Sequence, residues 1–363
     1  MSRTISVLTT LYNHESFIQD TLKSALEQTL SPDEIIVIDD GSDDNSLNNA
    51  MQVVHPSVHI FSEKGNLGGP TTMKGLNLCK GRFIAILNSD DTWSVDKLER
   101  QVQYLRGHPN CGAVFTHVNL IDECSRPWKA GRLRHQQIFE TINQDRHAWL
   151  RHFFHAGNPF CASSALIRRE CFERLGPLDG RYAQLQDLEF WVRMVVSGYD
   201  IHVIQEKLTN YRLMRNGSNM SAGSRAATAI NIFEYAKLLR NFWGIKSINE
   251  LQRIFPQLPM ASDANDSLIL FYLARHAAAQ STLQHQLFAL ETMSQWGGNL
   301  EARELANRIH GFTHKDYQEF LASGPISGFL RRDKRERVKY LVGRLLPYAL
   351  QQHVKSVLIK RKS

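Results

Sequence analysis

Several features that would classify a chain quickly are missing from this one. None of its 363 positions begins a run of 18 apolar residues, so no stretch has the length and apolarity of a membrane-crossing helix. Cysteine is sparse and odd in number (Cys79, Cys111, Cys124, Cys161, Cys171), with no C-x-x-C pair. That argues against a disulfide framework and fits reduced thiols in a cytoplasmic protein. The opening Met1-Ser-Arg-Thr-Ile-Ser-Val7 carries no secretory pattern and leads directly into a strand, which also points to the cytoplasm. Neither G-x-G-x-x-G nor G-x-x-x-x-G-K-[ST] follows the first strand, which weakens dinucleotide and P-loop readings. G-x-S-x-G and H-E-x-x-H are absent as well, and no fixed repeat period occurs. His276, His285, His310 and His314 sit among ordinary helix residues and read as packing or solvated side chains. Basic charge is scarce outside one segment. Residues 331–363 hold eleven of the 43 basic and two of the 36 acidic side chains, leaving 32 basic and 34 acidic elsewhere. The body of the chain is therefore not a nucleic-acid-binding surface.

The periodicity that is present alternates between strand and helix. Thr4–Thr10 and Glu34–Asp39 read as buried strands, with a helix between them from about Glu15 to Gln28. A helix from about Asp43 and a short strand near Val58–Phe61 follow. The loop Gly65-Asn-Leu-Gly-Gly-Pro70 then opens a helix running to Cys79, and Phe83–Leu87 is a fourth buried strand. Strands alternating with helices predict a mostly parallel sheet built by right-handed crossovers. Further on, helical spacing covers Lys97–Arg106 and Gln186–Met194, and strands are expected at Gly112–Ile121 and Phe160–Ile167. A strand pair is expected at Ile201–Ile204 and Leu208–Leu213, and 123–150 has no regular pattern. After Ser218 the pattern turns helical, at about 225–242, 263–279, 282–296 and 300–310. The expected division is a catalytic domain at 1–220, an α-helical subdomain at 221–325 and a basic amphipathic tail at 326–363.

Acids gather at the strand tips. The second strand ends in Asp39-Asp-Gly-Ser42 and the fourth in Asn88-Ser-Asp-Asp91. Adjacent carboxylates at the end of a buried strand repel unless a cation lies between them. In an open α/β sheet that end is also where ligands bind. Oxygen ligands there suit Mg²⁺ or Mn²⁺ held together with substrate phosphates. By themselves, Asp90 and Asp91 fit equally well a turn capping the helix that begins near Ser94. Asp187, at the start of a helix, alone reads as an acid favoured by the helix dipole.

Six segments in register change that balance. They are Ser6-Val-Leu-Thr-Thr-Leu-Tyr-Asn13, Val37-Ile-Asp-Asp-Gly-Ser-Asp43, Asn66-Leu-Gly-Gly69, Leu87-Asn-Ser-Asp-Asp-Thr-Trp93, Gln186-Asp-Leu-Glu-Phe-Trp-Val-Arg193 and Tyr211-Arg-Leu-Met-Arg-Asn-Gly-Ser218. Over residues 1–220 the chain resembles the inverting family 2 glycosyltransferases of the GT-A fold, a Rossmann-like α/β class with a mostly parallel central sheet flanked by helices. The resemblance implies a nucleotide-sugar donor, most often a uridine one, held by Thr10, Tyr12, Asn13, Asp39 or Asp40, Asn66, Gly68, Asn88 and Asp90. It implies Mn²⁺ or Mg²⁺ on Asp90 and Asp91, gripping the diphosphate. It makes Asp187 the general base that deprotonates an acceptor hydroxyl as the hydroxyl attacks the anomeric carbon from the opposite face. Two positions depart from the family's pattern: Asn88 stands where an Asp is usual, and Gln186 where an acid often precedes the base. Trp93 and Trp191 read as core or pocket wall rather than sugar platforms.

The implied acceptor is a glycan or lipid-linked saccharide of bacterial surface polysaccharide synthesis. The competing reading is a catalytically impaired sugar-nucleotide-binding scaffold at a membrane surface, supported by Asn88 alone. A nucleotidyltransferase would need a glycine-rich, basic first loop where Leu11-Tyr-Asn-His-Glu15 stands. In the tail, Val338, Leu341, Leu345 and Ala349 recur at helical spacing among Arg335, Arg337, Lys339, Arg344 and Lys355. Such a segment suits peripheral contact with an anionic membrane, and equally a helix packed on its own subdomain with solvated cations.

Overall fold

The computed structural model describes residues 4–128, 139–214 and 224–323. The tail, and residues 215–218 of the last matching segment, lie outside the described residues. Contacts divide the chain into two compact units, Met1–Gln257 and Leu258–Ser363. The helices expected to form a separate subdomain from 221 are thus shared between the units, because those up to Gln257 pack with the first.

The first unit is built on one eight-stranded mixed sheet of order β3-β2-β1-β4-β7-β6-β8-β5. β1 (Ile5–Leu11), β2 (Glu34–Asp39), β3 (Val58–Ser62) and β4 (Phe83–Ile86) are mutually parallel. The run Glu34-Ile-Ile-Val-Ile-Asp39 is buried at every position, as expected of a strand covered on both faces. Ile5, Val7, Ile35 and Val37 share one core with Ile18 and Leu22 of α1 (Ile18–Leu26), Ala50 of α2 (Ser46–Met51) and Leu98 and Val102 of α4 (Lys97–Gly107). Leu8 and Ile38, which alternate with them, lie against Gly75 of α3 (Gly69–Leu78). From β1 the chain steps outward to β2 and β3, then returns to place β4 on the other side of β1. That reversal opens a crevice at the carboxyl ends of β1 and β4.

The rest of the sheet departs from the expected pattern. β7 (Leu166–Arg168) is short and antiparallel, and is preceded by a 3₁₀ turn at Ala162–Ser164 rather than by a long strand. The expected pair at 201–213 is one strand, β8 (Asp200–Arg212), parallel to β6 (Cys111–Ile121) with register shifts along the way. Its far end pairs antiparallel with the two-residue β5 (Thr92–Trp93), Thr92 opposite Asn210 and Trp93 opposite Thr209. This draws Arg212 up to the acids that precede β5. Three helices of this unit went unpredicted: α5 (Arg146–His155), capped by Asp145, α6 (Arg169–Leu175) and the one at Ile248–Ile254. α7 (Gln186–Val196), α8 (Arg225–Leu238) and α9 (Ile248–Ile254) complete the unit.

The second unit is helical: α10 (Ile269–Ala278), α11 (Leu283–Gly297), α12 (Leu300–His310) and α13 (His314–Ala322). Asn299 caps α12, Gly311 ends it in the left-handed conformation, and Thr313 with Asp316 forms a capping box on α13. Tyr272 and His310 meet at 2.7 Å, so that histidine belongs to the packing.

Candidate active site

The two aspartate pairs have the same design. Asp40 accepts the Leu67 and Gly68 N–H groups at 2.9 and 2.7 Å and the Thr71 hydroxyl, which uses its carboxylate to shape the loop that opens α3. Gly68 takes a positive φ of 63° in that loop, a conformation that favours glycine. Asp39 is the opposite case. One of its oxygens takes weak bonds from the Ser42 N–H (3.3 Å) and the Ser62 hydroxyl (3.4 Å). The other is buried with no partner, a costly state unless a ligand donor completes it. Of the two, Asp39 keeps a carboxylate oxygen without a partner, and Asp40 is bonded to the loop through both of its oxygens.

Asp91 is likewise consumed internally. It is fully buried and accepts the Ser163 hydroxyl at 2.5 Å, the Arg212 N–H at 2.9 Å and the Asn88 amide at 3.4 Å. Burial, then the Asp90 charge, pushes its carboxyl well above the ordinary range. Of the two acids expected to bind a metal, Asp91 points inward and is held by three donors. Asp90 is half-buried, and its carboxylate takes no hydrogen bond from another residue among the described ones. Burial raises its pKa, while the charges of His14 and Arg212 pull it down. The Arg212 guanidinium, fully buried, donates to the Asp90 carbonyl at 2.7 Å and the Asp122 carbonyl at 2.9 Å and lies over the Phe17 ring. His14 meets the Ser89 hydroxyl at 2.8 Å, completing a frame around Asp90.

Asp187 lies in the first turn of α7. It accepts the Asn158 amide at 2.7 Å and the Leu188 N–H at 2.7 Å. Burial raises its pKa to about 6 against these two bonds, which lower it. A carboxylate poised there exchanges protons near neutral pH, as a general base must. Gln186, the second departure, donates to the Tyr182 carbonyl at 2.6 Å, a bond that an ionised acid could not make.

Among the remaining candidates, Thr10 is half-buried at the end of β1 and Tyr12 is 40% exposed just beyond it. Asn13 adopts a positive φ of 52° and exchanges bonds with the 42–43 turn, its N–H donating to the Ser42 hydroxyl and its amide oxygen accepting the Asp43 N–H, both at 3.0 Å. Asn66 is exposed. The Asn88 N–H donates to the Ser163 hydroxyl at 3.0 Å. Trp93 and Trp191 are buried, and the Trp93 indole donates to the Ser163 carbonyl at 2.7 Å. Neither forms a sugar platform. Sequence reasoning assigned no role to Asn158, Ser163 or Arg212. Arg212 stood inside a matching segment, whereas Ser163 and Asn158 carried no local signal, because their partners lie far away in the chain.

A divalent cation fits here only in a particular way. Among the described residues no group of three or more His, Cys, Asp and Glu could hold one. Asp90 supplies one accessible carboxylate, a donor set that suits Mg²⁺ or Mn²⁺ shared with phosphate oxygens and water.

Residues 6–176 match the family described as Glycosyl transferase family 2. The chain is 27% identical over 248 residues to the putative teichuronic acid biosynthesis glycosyltransferase TuaG of Bacillus subtilis, covering 65% of this chain and 88% of TuaG. It is 28% identical over 221 residues to the amylovoran biosynthesis glycosyltransferase AmsE of Erwinia amylovora, covering 59% of this chain and 77% of AmsE. Among solved structures, S. aureus TarS 1–349 in complex with UDP superposes with a TM-score of 0.52 at 15% identity, over 88% of this chain and 89% of that one. The fold is shared.

Proposed function

We propose that this chain is a family 2 glycosyltransferase that uses its GT-A fold to move a sugar from a nucleoside diphosphate sugar to an acceptor hydroxyl with inversion at the anomeric carbon. The observation that carries the reading is that Asp39 and Asp90 stand just at the carboxyl ends of the parallel strands β2 and β4 with carboxylate oxygens that the fold leaves unbonded, while Asp187 of the same unit opens α7. Their neighbours Asp40 and Asp91 are consumed by the fold. The unpartnered oxygen of Asp39 would accept a base N–H, which suits uracil, with the exposed Tyr12 ring beside the base. TarS, the structural neighbour, is described in complex with UDP, which supports a uridine donor.

Asp90 would hold Mg²⁺ or Mn²⁺ against the donor diphosphate, and the bound ion would neutralise the departing phosphate charge. Arg212 fixes the Asp90 carbonyl from behind, so the carboxylate is presented by a rigid turn. Asp187 takes the acceptor proton, and Asn158 keeps its carboxylate oriented while it does so. Attack from the face opposite the leaving diphosphate inverts the anomeric configuration in one displacement. TuaG and AmsE are named for the biosynthesis of teichuronic acid and amylovoran, which supports a polysaccharide or lipid-linked acceptor in a bacterial cell.

A panel of nucleotide sugars, with and without Mn²⁺, tests the reading by thermal stabilisation and by nucleoside diphosphate release with the product anomer determined. A UDP-sugar should raise the melting point, and the metal should deepen the shift. Release without stabilisation by any uridine nucleotide would overturn the donor assignment. The scaffold reading, favoured by Asn88, predicts stabilisation with no diphosphate release.

A further inference from the structure

Asp187 stands at the end of a loop, Pro177–Leu185, whose shape decides where the carboxylate sits. One end of that loop is tied down by Arg193, which forms an ion pair with Glu189 at 2.9 Å and donates to the Leu175, Gly176 and Pro177 carbonyls. The other end is held from a different element. Glu234 of α8 is buried, and its carboxylate accepts three consecutive backbone N–H groups: Ala183 at 2.5 Å, and Gln184 and Leu185 at 3.0 Å each. Leu185 is the residue from which α7 starts. One turn further along α8, the Lys237 ammonium lies 4.1 Å from the centre of the Tyr182 ring.

Three successive N–H groups converging on one point form an anion cradle. Here the anion is a buried protein carboxylate, and an acceptor removed from beneath part-buried N–H groups leaves them unpaired at a cost. We propose that Glu234 is a positioning residue for the transfer reaction: by filling this cradle it sets the start of α7 and hence the placement of Asp187. Glu234 lies beyond the family match, which ends at residue 176, and touches none of the candidate ligand-binding groups. The proposal rests on the assignment of Asp187 as the base.

The test combines a measurement that needs no substrate with one that does. In Glu234→Gln, an amide NH₂ replaces one acceptor oxygen, so at least one N–H loses its partner while the side chain keeps its size. In Glu234→Ala, all three lose it. Hydrogen exchange of the 183–185 amides should speed up at least about tenfold in both variants, with exchange in β1 and β2 unchanged. Turnover of Glu234→Gln should fall by about 10- to 100-fold, the size of effect a misplacement of about 1 Å produces. The melting shift caused by UDP should stay as in the wild type. Because Glu234 acts through Asp187, adding Glu234→Gln to Asp187→Asn should cost less than about twofold more. Wild-type turnover in Glu234→Gln, fully additive losses in the double variant, or loss of UDP stabilisation along with turnover would each overturn the proposal. A wild-type chain without turnover on any nucleotide sugar would instead count against the glycosyl-transfer reading, while amide exchange would still decide whether Glu234 holds the loop.

Discussion

At the scale of the residue, Asp187 has a consequence for both rate and stability. Its pKa of about 6 exceeds that of an unfolded aspartate, so the folded state holds the proton more tightly than the unfolded one. Ionising it therefore removes stability as pH rises from the unfolded pKa through about 6, by roughly 2–3 kcal/mol for a shift of this size. Asp187→Asn is expected to melt higher than wild type at pH 7 and to lose this advantage at pH 4. Its turnover should fall by about 10²–10⁴-fold, and the wild-type rate should rise with pH through about 6 to a plateau. Paired melting curves and pH–rate profiles check both signs. The two acids at the β4 tip give a second prediction. Asp91→Ala strands the Ser163 hydroxyl and the Arg212 N–H, and should cost about 2 kcal/mol or more of stability. Asp90→Ala should leave the melting point near wild type and remove the Mn²⁺ dependence of UDP binding. Calorimetry with and without the ion separates them. The sequence showed that acids gather at these tips. Which member of each pair is free depended on Leu67, Thr71, Ser163 and Arg212, and on chain separations of up to 121 residues.

At the scale of the element, β1 to β4 and the helices between them were legible, because strands buried on both faces leave continuous apolar runs that no other element explains. The later half of the sheet was not. β7 and β5 are three and two residues long and owe their existence to neighbouring strands rather than to any pattern of their own. β8 resembled a pair because its bulges against β6 break the alternation that marks a single strand. One contact between elements carries a further expectation. A Cβ on Gly69, at the start of α3, would lie 2.6 Å from the Gly180 Cα and 3.0 Å from the Gln186 amide nitrogen. The loop shaped by Asp40 and the loop leading to Asp187 thus meet backbone to backbone. Gly69→Ala should push them apart, lowering both UDP-induced stabilisation and turnover, whereas Gly107→Ala, with open space around it, should change neither. Melting shifts and initial rates of the two variants decide the point.

At the scale of the whole molecule, all candidate ligand and base residues fall within Met1–Gln257. A chain ending at Gln257 should therefore retain UDP-dependent stabilisation. One ending at residue 220 should lose it, because without α8 it lacks the buried apolar Tyr235, Leu238, Leu239 and Phe242 and the first unit should not fold. Differential scanning fluorimetry of the two shortened chains tells these cases apart. Composition revealed the change of character after residue 218 but gave no sign of the division of contacts at Gln257, since helices on either side of it have the same periodicity. The basic tail bears on a separate expectation. If its cations meet an anionic bilayer, each contributes about 1 kcal/mol, and the full chain should co-sediment with anionic vesicles at low salt while a chain ending at Pro325 should not. Equal partitioning of both would remove the tail from that role.

The division of labour within each aspartate pair also governs how genetic data on this protein will look. A screen that records only growth or product will score Asp39, Asp40, Asp90 and Asp91 alike, and a reader of that screen would draw a four-acid ligand site. If the amount of folded protein per cell is recorded beside activity, substitutions at Asp40 and Asp91 should lower abundance, and those at Asp39 and Asp90 should leave abundant, silent enzyme. Of the four, Asp39 would be the position at which to change the nucleotide recognised, since the fold does not already depend on it and Asp90 would meet the diphosphate that every such donor shares.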